Sequence, residues 1–266
     1  MAAGRIKILF IGDIIGEPGR NAVAKWVPRM REVHDPDLVI ANAENSAGGF
    51  GVTPKIAEDL LRLGCDVLTS GNHIWDKKDS IPFIRESGEL LRPANFPAGA
   101  PGRGSAVYTA RGGARVAVVN LMGRLFMKDL DCPFRAAERI AESMRRETPI
   151  IFVDFHAEAT SEKQAFGWFI DGRVTAVIGT HTHVQTADER ILPGGTAYLT
   201  DAGMTGPHEG VIGVERAEAI ERFLTGMPNK FKVAANDVRF CGVCVTADAA
   251  TGRALAIDRI QERDVA

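Results

Sequence analysis

A rhythm repeated along the chain restricts its fold more than any other feature: a short apolar run, a polar or glycine-rich cluster, then a stretch with helical spacing. Residues 6–11 are apolar except for Lys7 and stop at Gly12-Asp13. Pro18 suits the first turn of a helix, and Ala22, Val23, Trp26, Val27 and Met30 then recur at helical spacing. Residues 38–41 lead into Asn42-Ala43-Glu44-Asn45-Ser46 and a glycine-rich turn, after which Thr53-Pro54 caps a helix carrying Ile56, Leu60 and Leu61. Residues 66–69 lead into Ser70-Gly71-Asn72-His73 and a polar helix from about 77 to 86. Apolar runs of this length suit parallel strands covered on both faces, and strand, polar loop and helix in that order make βα units. Open α/β sheets place their sites at the carboxyl ends of such strands.

Further along, residues 91–104 are rich in proline and glycine and read as a crossing loop. Residues 105–110 and 115–120 read as a hairpin, and 134–144 as an amphipathic helix. A strand at 150–153 hands over to Asp154-Phe155-His156, and another at 174–178 is ended by Gly179 before Thr180-His181-Thr182-His183. Residues 196–199 form a short strand and 200–207 a loop, Ala219, Ile220 and Phe223 mark a helix, and 238–246 with 253–260 form an antiparallel pair. With βα units and hairpins interleaved and no linker, an α/β protein of mixed sheets with outer helices is expected, in one domain over 1–266.

A formal charge of −2 gives no footprint for a polyanion, so DNA and long RNA are not expected partners. Four cysteines follow an N-terminus with only a strand-length apolar run, too short for a membrane span or signal core. Reduced thiols in a cytoplasm are the expectation, with no membrane partner. Whether copies associate into a homo-oligomer is left open.

The polar residues at strand exits are Asp13, Glu44, Asn45, Asn72, His73, His156, His181 and His183, which take four of the six histidines and no cysteine. Two histidines one residue apart face opposite ways on a regular strand but can converge in a loop after Gly179. Taken alone, His181-x-His183 reads equally well as a pair of polar loop residues. Carboxylate, amide and imidazole without thiolate suit manganese, iron, magnesium or zinc in a hydrolytic site. Leaving His73 aside, the remaining residues are too many for one tetrahedral ion and suit two ions sharing a carboxylate. Asp13 and Asn72 also fit a capping or turn role. Arg92, Asn95, Arg124 and Lys128 read as solvated loop residues before phosphate binders, Phe126 as core-facing as readily as base-stacking, and Cys241-x-x-Cys244 as strand packing. No substrate-binding residue is assigned.

Gly12-Asp13, Gly71-Asn72-His73, His156 and Gly179-Thr180-His181-Thr182-His183 resemble, in order, the motif blocks of the calcineurin-like metallophosphoesterases. The blocks at 12–20, 42–51, 154–163 and 200–207 more closely resemble the bacterial YmdB-like subfamily, over nearly the whole chain. Asp13-Ile14-Ile15 departs from the broader Asp-x-His pattern, and Glu44-Asn45 replaces the usual bridging aspartate block. The resemblance implies a four-layer α-β-β-α sandwich of two mixed sheets. It also implies two metal ions, iron by expectation with manganese or magnesium able to replace it. Glu44 bridges them in that reading; Asp13, Asn45 and His183 bind the first and Asn72, His156 and His181 the second. The implied activity is hydrolysis of a small phosphodiester, first a 2′,3′-cyclic nucleotide opened to the 3′-monophosphate, with 3′,5′-cyclic nucleotides as the alternative. A hydroxide held between the cations attacks phosphorus and His73 is the proton donor. A phosphomonoesterase or nucleotidase on the same scaffold, and a metal-stabilised regulatory protein with incidental hydrolysis, stay open.

Overall fold

Alternation along the first strand, β1 (Arg5–Ile11), sets the layering: Ile6, Ile8 and Phe10 point to one face and Leu9 and Ile11 to the other, and all five are buried. A strand buried on both faces lies between two covering layers. In this computed structural model residues 4–263 are described, so 1–3 and 264–266 of the expected domain lie outside them. After β1 come β2 (Asp13–Ile14), α1 (Gly16–His34), β3 (Leu38–Asn42), α2 (Pro54–Arg62), β4 (Val67–Thr69) and α3 (Ile81–Glu86). The middle of the chain holds β5 (Ser105–Thr109), β6 (Arg115–Met122), α4 (Pro133–Met144), β7 (Ile151–His156), α5 (Thr160–Ile170) and β8 (Ala176–Thr180). It closes with β9 (Arg190–Ile191), β10 (Ala197–Leu199), β11 (Met204–Pro207), α6 (Arg216–Thr225), β12 (Val238–Asp248) and β13 (Ala254–Arg263).

These strands make two mixed sheets. One has the order β2-β11-β12-β1-β3-β4 with β13 along β12, and the other the order β5-β6-β7-β8-β10-β9. Between the sheets, Ile8, Phe10, Leu38 and Ile40 meet Val116, Val118, Phe152 and Ile178 in one apolar core. Outside the first sheet, Val23, Trp26 and Val27 of α1 and Leu60 of α2 cover Leu9, Ile11, Val39 and Leu68. Outside the second, Ala137 and Ala141 of α4 and Phe166 and Ile170 of α5 cover Val119, Ile151, Val153 and Phe155. The result is the expected α-β-β-α sandwich. No helix among the described residues is long and apolar enough to cross a membrane.

Several local expectations are corrected. Gly179 does not end its strand: β8 runs to Thr180, opposite His156 on β7. Asp13 is not in a loop but in β2, which pairs with β11 inside the segment expected to be all loop. The polar helix near 77–86 is a 3-10 turn at Lys78–Ser80 followed by α3, because Pro82 fits only a first helical turn. The helix α5 has no counterpart in the expectations.

Candidate metal centre

The two sheets bring their carboxyl edges together. Asp13 on β2, Glu44 and Asn45 beyond β3, and Asn72 and His73 beyond β4 come from the first sheet. His156 ends β7 of the second sheet, and His181 and His183 follow β8. Both of the latter have left-handed backbones, φ 101° and 66°, which side chains other than glycine rarely adopt. Three groups hold this turn in place. The His181 N–H donates to Asp13 Oδ2 at 3.1 Å. The Thr182 N–H and hydroxyl both donate to Asp201 Oδ2, at 3.1 and 2.7 Å. The same oxygen takes the buried Lys163 ammonium at 2.6 Å.

Around His156 Nε2 lie Asn72 Oδ1 at 2.9 Å, Glu44 Oε1 at 3.0 Å and His181 Nδ1 at 3.0 Å. The outer nitrogens fix what these atoms are. His156 Nδ1 donates to Thr180 Oγ1 at 2.9 Å, whose hydroxyl donates to Asp154 Oδ1 at 2.7 Å. His181 Nε2 faces Glu158 Oε2 at 3.0 Å, and His183 Nδ1 donates to the Ile212 carbonyl at 2.9 Å. Each imidazole therefore turns its other ring nitrogen inward, the usual arrangement of metal-binding histidines with an outer carboxylate, hydroxyl or carbonyl. Three acceptor atoms, each about 3 Å from His156 Nε2 in a partly buried site, repel unless a cation shares them. For ligands at about 2.1 Å in six-coordination the ligand-to-ligand edge is roughly 3.0 Å, which matches.

A second group lies alongside. Asn45 Nδ2 is 3.2 Å from both His183 Nε2 and Glu44 Oε1, and Asp13 Oδ1 is 3.9 Å from His156 Nδ1. Asp13 Oδ1 and Asn45 Oδ1 are buried without a hydrogen-bond partner among the described residues, as expected of oxygens reserved for an ion. Gly71 has to be glycine: a Cβ there would strike the His156 ring and the Glu44 carboxylate. The His73 ring stays outside this cluster. The His73 backbone N–H donates to Glu44 Oε2 at 3.2 Å, its Nδ1 meets Asp76 Oδ2 at 2.7 Å, and its ring lies edge-on to Phe50 with centroids 5.0 Å apart.

The carboxylates draw positive charge into the centre, which a proton on His156 or a bound cation supplies. Burial disfavours ionised Glu44, but the His156 and His73 imidazoles outweigh it and bring its carboxyl down to about 2. Burial also disfavours charged His156, yet Glu44, Asp13 and Asp154 lift it to about 9. Burial and the neighbouring His156 drive His181 down to about 3, so the two facing rings are not both charged. Burial raises the Asp13 carboxyl despite His183 and His156 nearby.

Sequence reasoning missed the supports of this cluster. Asp154 accepts from Thr180, Thr69 and the Asn42 amide, and burial pushes its carboxyl to about 7 against the neighbouring His156 and the Thr69 and Thr180 hydroxyls. Its signal was available, because it sits two residues before His156 on the same strand face. Lys163, Thr180 and Asp201 carried no such signal. Arg92 and Asn95 are not solvated: both are buried and donate to backbone carbonyls, Arg92 to Pro93 and Asn95 to Met122. Phe126 is not core-facing but exposed. Lys128 donates to the Asn72 carbonyl at 3.3 Å. Cys241 and Cys244, three apart on β12, face opposite ways, and both are buried free thiols.

Two mixed sheets packed face to face, flanked by helices and joined at their edges by carboxylate, amide and imidazole groups, define a metallophosphoesterase fold. A novel phosphatase from Mycoplasma pneumoniae has this structure, with a TM-score of 0.91 and 35% identity over 98% of this chain and 94% of that one. The crystal structure of a hypothetical protein from Thermus thermophilus matches with a TM-score of 0.92 and 42% identity, over 98% of this chain and all of that one (100%). The chain belongs to the YmdB-like protein family, whose model matches residues 9–260. A 2′,3′-cyclic-nucleotide 2′-phosphodiesterase of Bacillus subtilis (strain 168) is 52% identical over 260 residues, 97% of this chain and 98% of the relative.

Proposed function

We propose that this protein is a metal-dependent phosphodiesterase that opens 2′,3′-cyclic nucleotides to 3′-nucleotides, with residues 1–266 forming one catalytic domain in the cytoplasm. The observation that carries the reading is the partly buried set of inward-facing groups: Glu44 Oε1, Asn72 Oδ1, His156 Nε2 and His181 Nδ1, beside the unpartnered buried Asp13 Oδ1 and Asn45 Oδ1. The 52% identity to a phosphodiesterase of that specificity supports the substrate.

Glu44 would be shared by both ions; Asp13, Asn45 and His183 would hold one and Asn72, His156 and His181 the other. Iron suits this nitrogen and oxygen set, and manganese or magnesium can replace it. Bound there, the pair of ions supplies an activated water and neutralises the phosphoryl oxygens. The chain supplies the rest. Thr180, Glu158 and Ile212 fix the imidazoles, so no reorientation accompanies the reaction. Asp76 accepts from His73 Nδ1–H and orients the ring, leaving Nε2–H to give its proton to the 2′-oxygen as the phosphorus–O2′ bond breaks.

The test compares turnover of 2′,3′-cyclic AMP, an aryl phosphodiester and an aryl monophosphate, with metal content determined on the same sample. The expected result is metal-dependent turnover with the cyclic nucleotide preferred and 3′-AMP as product. Preference for the monoester, or bound metal without hydrolysis of any ester, overturns the reading. His73→Ala should keep the metal and lose about 100-fold or more in rate, whereas Glu44→Ala should lose the metal; an unaltered rate in the former removes His73 from the mechanism.

A further inference from the structure

The cavity that opens onto Glu44, Asn45 and His183 extends well past them. Its volume of about 480 Å³ lies within the range of small-molecule sites and exceeds what a phosphate group needs. Its far wall comes from two pieces of chain, of which the mechanism uses only the Ile212 carbonyl. One is the tight turn at 211–214, whose ends exchange backbone hydrogen bonds, Val211 with Val214. The other is the face of α6 that carries Ala219, Arg222 and Phe223, spaced to lie side by side on a helix.

Both pieces carry unexplained features. Ile212 has φ 46° and Gly213 φ 94°, the positive pair typical of two-residue hairpin turns, where asparagine or aspartate is the usual first residue. A β-branched residue in that conformation is strained. It places the Ile212 carbonyl on His183 Nδ1 at 2.9 Å while its side chain, 53% exposed, lines the cavity. Phe223 also lines the cavity yet is 85% exposed, an aromatic ring with almost no contact of its own. Arg222 stacks over Phe231, another lining residue, at 5.2 Å.

We propose that the 211–214 turn and the Ala219, Arg222 and Phe223 face of α6 form the nucleobase seat of the active site, stacking the base of a cyclic nucleotide whose phosphate lies on the Glu44 and His183 side. The inference rests on the phosphodiesterase reading and deepens it. A wall of aromatic and aliphatic groups with a single guanidinium recognises the face of a heterocycle and not its hydrogen-bonding edge, so all four bases are accepted. The link from Ile212 to His183 fixes the distance between seat and reacting phosphorus.

The experiment measures kcat and KM for 2′,3′-cyclic AMP and for methyl riboside 2′,3′-cyclic phosphate, which lacks the base, with wild type, Phe223→Ala and Phe223→Trp. Oligomeric mass is measured by light scattering on the same samples. With the base present, Phe223→Ala should raise KM about fivefold or more. Its kcat, its metal content and its KM for the baseless ester should stay unaltered, and Phe223→Trp should restore tight binding. An active enzyme whose KM ratio between the two esters does not move in Phe223→Ala overturns the nucleobase seat and leaves the phosphodiesterase reading standing. So does a variant that changes oligomeric mass and weakens both esters alike, which assigns the ring to a contact between copies of the chain. Wild type inactive on both esters overturns the two proposals together.

Discussion

Lys163→Met isolates the interaction that holds the histidine turn. Lys163 is 1% exposed and Asp201 0%, and their 2.6 Å contact lies inside the sandwich behind Thr182. Removing one member of a buried pair costs about 3–5 kcal/mol, because the other charge stays buried. Here Asp201 keeps the Thr182 N–H, the Thr182 hydroxyl and the Gly203 N–H, so the low end, about 3 kcal/mol, applies. With an unfolding entropy of about 2.1 cal/mol/K per residue, a chain this long has roughly 0.56 kcal/mol/K, and Tm falls by about 5 °C. Differential scanning calorimetry of the chelator-treated protein reads this without a contribution from ions. The double variant Lys163→Met with Asp201→Asn removes the stranded charge and keeps an acceptor for Thr182, so it should recover at least about half of the loss. A fall of less than about 1 °C in the single variant, against the cost expected for a buried pair, or a double variant no better than the single one, refutes the argument.

Three further outcomes test the site and the core. Thr180→Val removes the oxygen that accepts the His156 Nδ1–H, and metal affinity measured by chelator competition should drop about 10- to 100-fold with the fold intact by circular dichroism; unchanged affinity denies Thr180 that role. Gly71→Ala should purify with little or no metal, since its Cβ occupies space taken by His156 and Glu44, and full metal content would contradict the packing. Burial pushes the Cys65 thiol up to about 12 and Cys241 and Cys244 to about 11, so a thiol reagent at neutral pH should modify Cys132 alone under native conditions. Mass spectrometry of labelled peptides decides it, and rapid labelling of Cys241 or Cys244 would go against their burial.

The strands that carry the centre were legible because each is a largely apolar run, with Lys7 inside that of β1, ending in a polar cluster, and β1, β3, β4, β7 and β8 all fall where those runs do. The histidines were legible for the same reason. What escaped depends on partners remote in the chain. The helix α5 hides because its apolar side includes Lys163, whose counter-ion Asp201 is far away in sequence, and Gly167, which is pressed against the Tyr198 ring. The strand β2 is two residues long and exists only through β11, almost two hundred positions away. Asp201 and Thr180 look like ordinary loop and strand polar residues until the turn they brace is in place.

The proposed ligand groups divide between the sheets: Asp13, Glu44, Asn45 and Asn72 on one, His156, His181 and His183 on the other. Neither half of the sandwich, folded alone, presents more than a fragment of the cage. Any tightly bound ion therefore acts as a rivet through the seam, and its retention gauges whether the halves have closed, so that slow release and global opening of the molecule become one event.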